Sequence, residues 1–226
     1  MMHDIKSFRR ATIIAFLFNG SASLAMLFLI RPGLGLDGHF EAQTAYLRDF
    51  YWLWVFGWLV WIAAAVALIY FFVAWGFFVD APSSRPLIVF GVLLAAMGLV
   101  PDTIADVMYI AVIPKWAALQ NIPTEAGGTF VHQMTAWARL SELLTGFLGN
   151  GLYSVGGLVL NIVTLQSATV SKSWAKGGLV VWFLGLALSV VTLLKYKMAM
   201  VIVTGALMTA FLLWLFCLAF LMKGKK

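Results

Sequence analysis

Apolar residues are gathered into long runs along this chain and do not alternate with polar ones. Residues 55–79, for example, are continuously apolar, whereas the strands of a membrane β-barrel alternate apolar and polar residues over about ten positions. A helix needs about 20 mostly apolar residues to cross the hydrocarbon core of a bilayer. Six runs reach that length, which predicts an all-α polytopic bundle of about six transmembrane helices in one domain. The predicted spans are residues 11–30, 50–79, 87–113, 136–165, 177–194 and 198–222, within a domain of residues 1–226.

The segments between these runs are mostly short. Lys195, Tyr196 and Lys197 alone separate the last two runs, so we expect a tight helical hairpin there. Two segments, 31–49 and 114–135, are longer. Within the second of them, residues 115–120 are expected to form a short interfacial helix, since tryptophan is enriched at the headgroup level. The first apolar run exceeds the 7–15 residues of a signal-peptide core, and we interpret it as a retained anchor.

Composition supports the membrane interpretation. Of the 226 residues, 63% are hydrophobic and 11% are charged, whereas soluble domains are roughly 45–50% apolar and about 25% charged. So few charges could not cover a soluble globule of this size. The single cysteine, Cys217, cannot form an internal disulfide. The formal net charge of +6 is explained by basic ends near an anionic leaflet, and no basic face interleaved with aromatic residues suggests nucleic-acid binding.

Lysine and arginine predict the orientation, because they are enriched in cytoplasmic segments. Six spans place both termini on one side, which then carries nine of these cations against six on the other. Both termini are therefore predicted to be cytoplasmic, with the protein in the inner (plasma) membrane of a bacterium. The nine are Lys6, Arg9, Arg10, Arg85, Lys172, Lys176, Lys223, Lys225 and Lys226, and the six are Arg31, Arg48, Lys115, Arg139, Lys195 and Lys197.

Three acidic residues lie inside predicted spans, where an ionisable group is costly. Asp102 and Asp106 are four residues apart on the third span and therefore share one helical face. Glu142 lies on the fourth span at a comparable distance from the outer end, and Arg139 precedes it by three residues. We expect these four groups to meet in the outer half of the bundle.

The fourth span is the most polar and the richest in glycine. It carries Asn150 and Tyr153, and its small residues allow close approach between helices. We expect it at the centre of the bundle, against the third span and the first, where Asn19 lies near mid-membrane. Asn19, Asn150 and Tyr153 thus complete the predicted polar site, with the two asparagines orienting a ligand.

The charged cluster has three interpretations. In the first interpretation, the cluster is a structural network of ion pairs and hydrogen bonds, in which Arg139 neutralises one carboxylate. Alternatively it faces an outward cavity and carries protons or binds a cationic solute, because neighbouring carboxyl groups in an apolar setting hold protons. The third interpretation is a metal site, since Asp102, Asp106 and Glu142 supply oxygen ligands that suit Mg, Ca or Mn. The spacing does not decide whether a metal binds.

Tryptophan and tyrosine cluster at both ends of the second span. The first interpretation is a pair of interfacial aromatic belts, and the alternative is a stacking platform for a pigment or quinone. The residues are Tyr51, Trp52, Trp54 and Trp58 at one end, and Tyr70 and Trp75 at the other.

Signatures of catalysis and of cofactor binding are missing from the sequence. The histidines His3, His39 and His132 all lie outside the predicted spans, which argues against haem held by paired intramembrane histidines. No lysine lies in the middle of a span to hold retinal, and no Cys-x2-Cys, Gly-x-Ser-x-Gly or Gly-x4-Gly-Lys motif is present. We therefore expect no cofactor, and a non-enzymatic role is favoured.

The layout resembles a family of bacterial multi-pass membrane proteins of unknown function, with six or seven helices in a chain of similar length. The resemblance implies the helical fold and no activity. It is carried by Arg9-Arg10 before residues 11–23, by Leu140-Ser141-Glu142-Leu143 before residues 146–157, and by Ser171-Lys172-Ser173-Trp174 before residues 177–185.

Three functional classes follow from these patterns. The first is a membrane protein whose carboxylate cluster binds or translocates a small solute, a cation or protons. The second is a non-catalytic subunit of a larger membrane complex of the respiratory or photosynthetic kind, which predicts membrane-protein partners or a homo-oligomer within the lipid bilayer. The third and weakest is an intramembrane enzyme that modifies lipids by acid–base catalysis.

Overall fold

The structure is a computed structural model that describes residues 5–35, 40–79, 81–119, 127–167 and 172–221. Within these ranges the chain forms helices and no strands, so the prediction of an all-α protein is confirmed. The α-helices are α1 (Ile5–Ala25), α2 (Phe40–Asp49), α3 (Tyr51–Phe78), α4 (Arg85–Ala111), α5 (Ile113–Leu119), α6 (Gly127–Glu142), α7 (Asn150–Gln166), α8 (Lys172–Leu193) and α9 (Lys197–Phe216).

Six helical segments in the described ranges are long and apolar enough to cross a membrane, as the sequence predicts. The chain is therefore a multi-pass membrane protein. The segments extend beyond the predicted spans at several ends because shorter helices and turns continue them. They are Ile5–Leu34, Tyr51–Phe78, Pro82–Leu119, His132–Gln166, Lys172–Leu193 and Lys197–Phe220.

The spanning helices form a closed ring in sequence order. Among the described helices, α1 packs against α3, α3 against α4, α4 against α7, α7 against α8, and α8 against α9, while α9 returns to α1. Neighbours run antiparallel; the Phe8 ring near the start of α1 stacks on Phe78 at the end of α3, with centroids 4.4 Å apart. The expectation that the fourth span packs against the first is wrong. Helix α7 has α4 and α8 as its neighbours, and α1 lies between α3 and α9.

Aromatic side chains fill the interior of the ring. At the end where α1 begins, which we call the amino-terminal end, buried rings of Phe71, Phe72, Trp75, Trp182 and Trp214 pack together from three helices. At the opposite end a second cluster contains Trp54, Trp58 and Tyr109 with residues of α2, α5 and α6.

These clusters correct the prediction of aromatic belts for three tryptophans. Trp54, Trp58 and Trp75 are 0%, 3% and 2% exposed, because they lie on the face of α3 that points into the ring. Trp52 and Tyr70, at 77% and 41%, lie on the outer face as a belt requires. The buried rings contact one another and leave no platform for a pigment or quinone in the clusters that the structure describes.

Four glycines bring α4 and the fourth span into backbone contact. A Cβ atom on Gly156 would lie 2.5 Å from the carbonyl oxygen of Gly91, and one on Gly98 would lie 2.8 Å from the carbonyl oxygen of Gly149. Only glycine permits so close an approach. We call Gly91, Gly98, Gly149 and Gly156 the glycine interface, and it sets the distance across which polar side chains of the two helices meet.

The segments at the opposite end are largely helical. Helix α2 occupies part of residues 31–49, for which the sequence predicted no secondary structure, and α5 matches the short helix expected at residues 115–120. The side chain of Gln43 anchors α2 by donating to the carbonyl of Gly33 at 2.9 Å. Tyr46 donates to the carbonyl of Leu29 at 2.6 Å, and burial raises the pKa of its phenol.

Two further predictions concern local structure. The expected hairpin between the last two spans is present, and Lys195 adopts a φ of 62° in its turn. His132, which the sequence places outside the predicted spans, begins the fourth membrane-spanning segment, His132–Gln166. Helix α6 begins at Gly127, so His132 is helical, with an exposed side chain.

Candidate functional site

The two aspartates lie on the inward face of α4. Pro101, Asp102, Ala105, Asp106 and Tyr109 are the buried residues of its last turns. Asp102 is 5% exposed and Asp106 is fully buried, although both lie within a membrane-spanning segment. Since they are four residues apart, their carboxyl groups are one helical turn apart on the same side of the helix.

Asp102 has a hydrogen-bond donor for each carboxyl oxygen. The Thr145 hydroxyl donates to Oδ1 in a short hydrogen bond, and the Tyr153 hydroxyl donates to Oδ2 at 3.1 Å. Both donors belong to the fourth span, on the far side of the glycine interface. A Cβ on Gly149 would lie 3.2 Å from the Cβ of Asp102, so the close helix packing is what puts the carboxyl within reach of the two hydroxyls.

Asp106 differs sharply from its neighbour. Among the described residues, neither of its carboxyl oxygens has a hydrogen-bond partner, although both are buried. An isolated carboxylate in an apolar interior costs many kcal/mol, so such a group persists only when it is neutral or has a cation beside it.

Arg139 and Glu142 form an ion pair of their own. The Nη1 atom of Arg139 lies 3.0 Å from Oε2 of Glu142, with side-chain exposures of 19% and 31%. The Nη2 atom donates to the carbonyls of Thr192 and Leu193 at 2.8 and 3.1 Å. These carbonyls end α8, where no intrahelical donor remains. The predicted neutralisation of a carboxylate by Arg139 thus involves Glu142.

A π-helical segment follows this ion pair and contains Thr145, one of the two donors to Asp102. Residues Leu143–Gly149 are π-helical, with α6 before them and α7 after them. The wider turn changes which residues share a face, and such segments are frequent at functional sites. As a result Arg139 reaches α8, whereas Thr145 and Tyr153 face α4.

Tyr109 lies between the buried aspartate and the ion pair. Its ring stacks on Trp58 with centroids 4.3 Å apart and an interplanar angle of 4°. Its hydroxyl is 3.5 Å from the carbonyl oxygen of Ala138, one turn before Glu142. The phenol interacts electrostatically with Glu142, Asp106 and Arg139. Sequence reasoning missed Tyr109; the signal was its position three residues after Asp106, which puts it on the same face.

The remaining predicted site residues lie at other helix contacts. Asn19 donates to the carbonyl of Ala15 at 2.9 Å and to that of Ala64, on α3, at 3.5 Å. Asn150 donates to the carbonyl of Gly185 on α8 at 2.7 Å. Of the seven predicted residues, the structure therefore brings Tyr153 to Asp102 and pairs Arg139 with Glu142, while the asparagines bind backbone elsewhere.

The described residues do not bring together the three carboxyl groups that the metal interpretation requires. Within the described part of the chain, no three His, Cys, Asp or Glu side chains are close enough to hold an ion together. Glu142, the third predicted ligand, is bonded to Arg139. Calcium takes six to eight oxygen ligands, and magnesium demands near-octahedral geometry.

The site thus contains the hydrogen-bonded carboxyl group of Asp102 and the carboxyl group of Asp106, which has no hydrogen-bond partner among the described residues. Tyr109 lies on the same helical face, and a partly exposed ion pair of Arg139 with Glu142 lies nearby. This arrangement suits proton exchange between carboxyl groups. Comparison of the chain with protein-family models, with curated proteins and with solved structures finds no match.

Proposed function

We propose that this multi-pass membrane protein takes up and releases a proton at the pair Asp102 and Asp106. The observation that carries the proposal is Asp106, whose fully buried carboxyl group has no hydrogen-bond partner among the described residues. Intramembrane acidic residues of this kind mark proton relays and ion pathways in transporters and pumps.

A proton is a better ligand here than a metal ion or a bulky cation. Protonation needs no coordination shell, since one added hydrogen removes the charge that the apolar surroundings disfavour. The neighbouring carboxyl group of Asp102 accepts hydrogen bonds from the hydroxyl groups of Thr145 and Tyr153, one at each oxygen. The pair therefore divides into one carboxylate that is held by donors and one acid that is free to exchange its proton.

Tyr109 and Glu142 supply the route by which the proton leaves the interior. Glu142 has a side-chain exposure of 31%, whereas Asp106 is fully buried. The Tyr109 hydroxyl is 3.5 Å from the carbonyl oxygen of Ala138, one turn before Glu142, and a phenol can accept and donate a proton at the same oxygen. Arg139 holds Glu142 at the edge of the bundle, and this partly exposed carboxyl group is the proposed point of proton release.

The test is infrared spectroscopy of the protein in lipid nanodiscs across a pH series. The carbonyl stretch of a protonated carboxyl group is separate from that of carboxylates and shifts in deuterated water. We expect a protonated band in the native protein that Asp106→Asn removes. Asp49→Asn is the matched control, because that carboxylate is exposed and bonded to Arg48 at 2.7 Å, and the band should survive it. A native protein without this band refutes the proposal.

Transport is tested separately in proteoliposomes that contain a pH-sensitive dye. An imposed membrane potential should drive proton uptake in the native protein, and Asp106→Asn and Tyr109→Phe should abolish it. If the infrared band is present but no variant alters the flux, the pair stores a proton without conducting it, and the proposal is then restricted to proton binding. Native mass spectrometry of the same sample identifies any partner chains, which is the outcome expected of a subunit of a larger complex.

A further inference from the structure

A surface cavity at the opposite end of the bundle combines positive charge with an apolar floor. It has a volume of about 520 Å³ and lies between α2 and the junction of α4 with α5. That volume is within the range of ligand sites in proteins, roughly 300–1,000 Å³. The lining residues are Thr44, Leu47, Arg48, Tyr51, Ile110, Ala111, Pro114, Lys115, Ala117 and Ala118.

The polar lining of this cavity favours an anion. Arg48 and Lys115 contribute two cations, Thr44 and Tyr51 contribute hydroxyl groups, and the described residues that line the cavity include no acidic one. Asp49, next to Arg48 in sequence, accepts hydrogen bonds from Nε and Nη2 of the guanidinium, which lowers the pKa of that carboxyl group. The Nη1 atom of Arg48 takes no part in that pair.

The apolar part of the cavity continues down the outside of α4. Ile110 and Ala111 line the cavity, and below them Val107, Ile104 and Val100 are 51%, 48% and 59% exposed. The spacing from residue 111 to residues 107, 104 and 100 keeps them on one helical face. A molecule with a charged head in the cavity would therefore lay its tails on an apolar stripe of a membrane-spanning segment.

We propose that this cavity binds an anionic phospholipid, with its phosphate group between Arg48 and Lys115 and its acyl chains along α4. Charge complementarity selects the anionic headgroup, as in other basic pockets between membrane helices. The exposed stripe selects a lipid over a free phosphate ion, since a free ion makes no use of the apolar surface. The site is separate from the carboxyl pair and stands independently of the proton function.

The experiment is a native mass spectrometry titration with phosphatidylglycerol and with phosphatidylcholine of the same chain length. We expect the native protein to prefer phosphatidylglycerol. Each of Arg48→Gln and Lys115→Gln should weaken phosphatidylglycerol binding about fivefold, the factor that corresponds to about 1 kcal/mol per cation near a membrane surface. Binding of phosphatidylcholine should not change.

Lys195→Gln and Lys197→Gln are the matched controls, because both lysines lie at the same end of the bundle outside the cavity. These controls should retain the preference. Equal binding of both lipids by the native protein, or an equal loss in the controls, would overturn the proposal. Competition by inorganic phosphate at the lipid's own concentration would identify a free-phosphate site and would overturn the lipid assignment. Unchanged unfolding temperatures of all four variants establish that the fold is intact.

Discussion

Replacing Gly156 by alanine should separate α4 from α7. The added Cβ would lie 2.5 Å from the Gly91 carbonyl oxygen and 3.0 Å from the Ala95 nitrogen. Carbon and carbonyl oxygen normally approach only to about 3.3–3.6 Å, so the helices must move apart by about 1 Å. Both obstructing atoms belong to backbone and cannot rotate away. Overpacking of this kind costs about 1–3 kcal/mol, and the better helix propensity of alanine returns up to about 1 kcal/mol.

The assay is unfolding of the protein in mixed micelles by increasing SDS, followed by tryptophan fluorescence. Gly156→Ala should lower the free energy of unfolding by about 1–2 kcal/mol after the propensity gain. Gly205→Ala on α9 is the control, because among the described residues no atom beyond its own stretch of helix lies within 4 Å of its Cβ position, and it should be neutral or stabilising. Equal stability of the two variants would refute the argument that backbone contact at the glycine interface limits side-chain size.

Two further substitutions test contacts at the opposite end of the bundle. Trp54→Phe removes the hydrogen bond of 2.8 Å from the indole to the Tyr109 carbonyl and should lower the free energy of unfolding by about 1 kcal/mol. Trp52→Phe, on the outer face, is the control and should leave the free energy of unfolding unchanged in the same SDS titration. Arg139→Gln leaves Glu142 unpaired and removes the side-chain donor to the carbonyls of Thr192 and Leu193, of which Thr192 keeps the Lys195 N–H at 3.2 Å. The free energy of unfolding should fall by about 1–3 kcal/mol, and amides at the end of α8 should exchange faster with deuterium. Unchanged exchange there would contradict this.

The number of spans follows from the sequence because one property, apolar length, determines whether a helix can cross a bilayer. The pairing of the two aspartates on one face follows as well, since residues 102 and 106 lie on an uninterrupted α-helix. The hairpin at Lys195 was equally accessible, because two long apolar runs are joined by three polar residues. In each case the inference needs only local geometry.

The composition of the site could not be predicted in the same way. Reasoning from α-helical spacing placed Arg139 and Glu142 with the aspartates. The π-helical segment Leu143–Gly149 lies between these two residues and Tyr153, so Arg139 and Glu142 do not share a helical face with Tyr153 as regular α-helical spacing predicts. No residue type in that stretch indicates a π turn. Its formation depends on packing against α4 and α8, which is tertiary information.

Tryptophan burial shows a second limit of sequence reasoning. Helix α3 is apolar on all sides, so hydrophobicity does not distinguish its inward face from its lipid face. Trp52 and Trp54 are neighbours in type and position, yet they are 77% and 0% exposed. Which of them faces the ring depends on where α1 and α4 pack. Only the assembled bundle specifies that.

The closed ring has a consequence for how the protein is made. As helices enter the membrane in order of synthesis, each one finds its partner in the helix inserted just before it, which keeps most contacts local. The contact of α9 with α1 is the exception, and it forms only after α9 has been translated. Until then, Trp75 and Trp182 lack the Trp214 ring that covers them. Before α9 inserts, the incomplete bundle therefore exposes a groove lined by these aromatic rings, and α9 covers it.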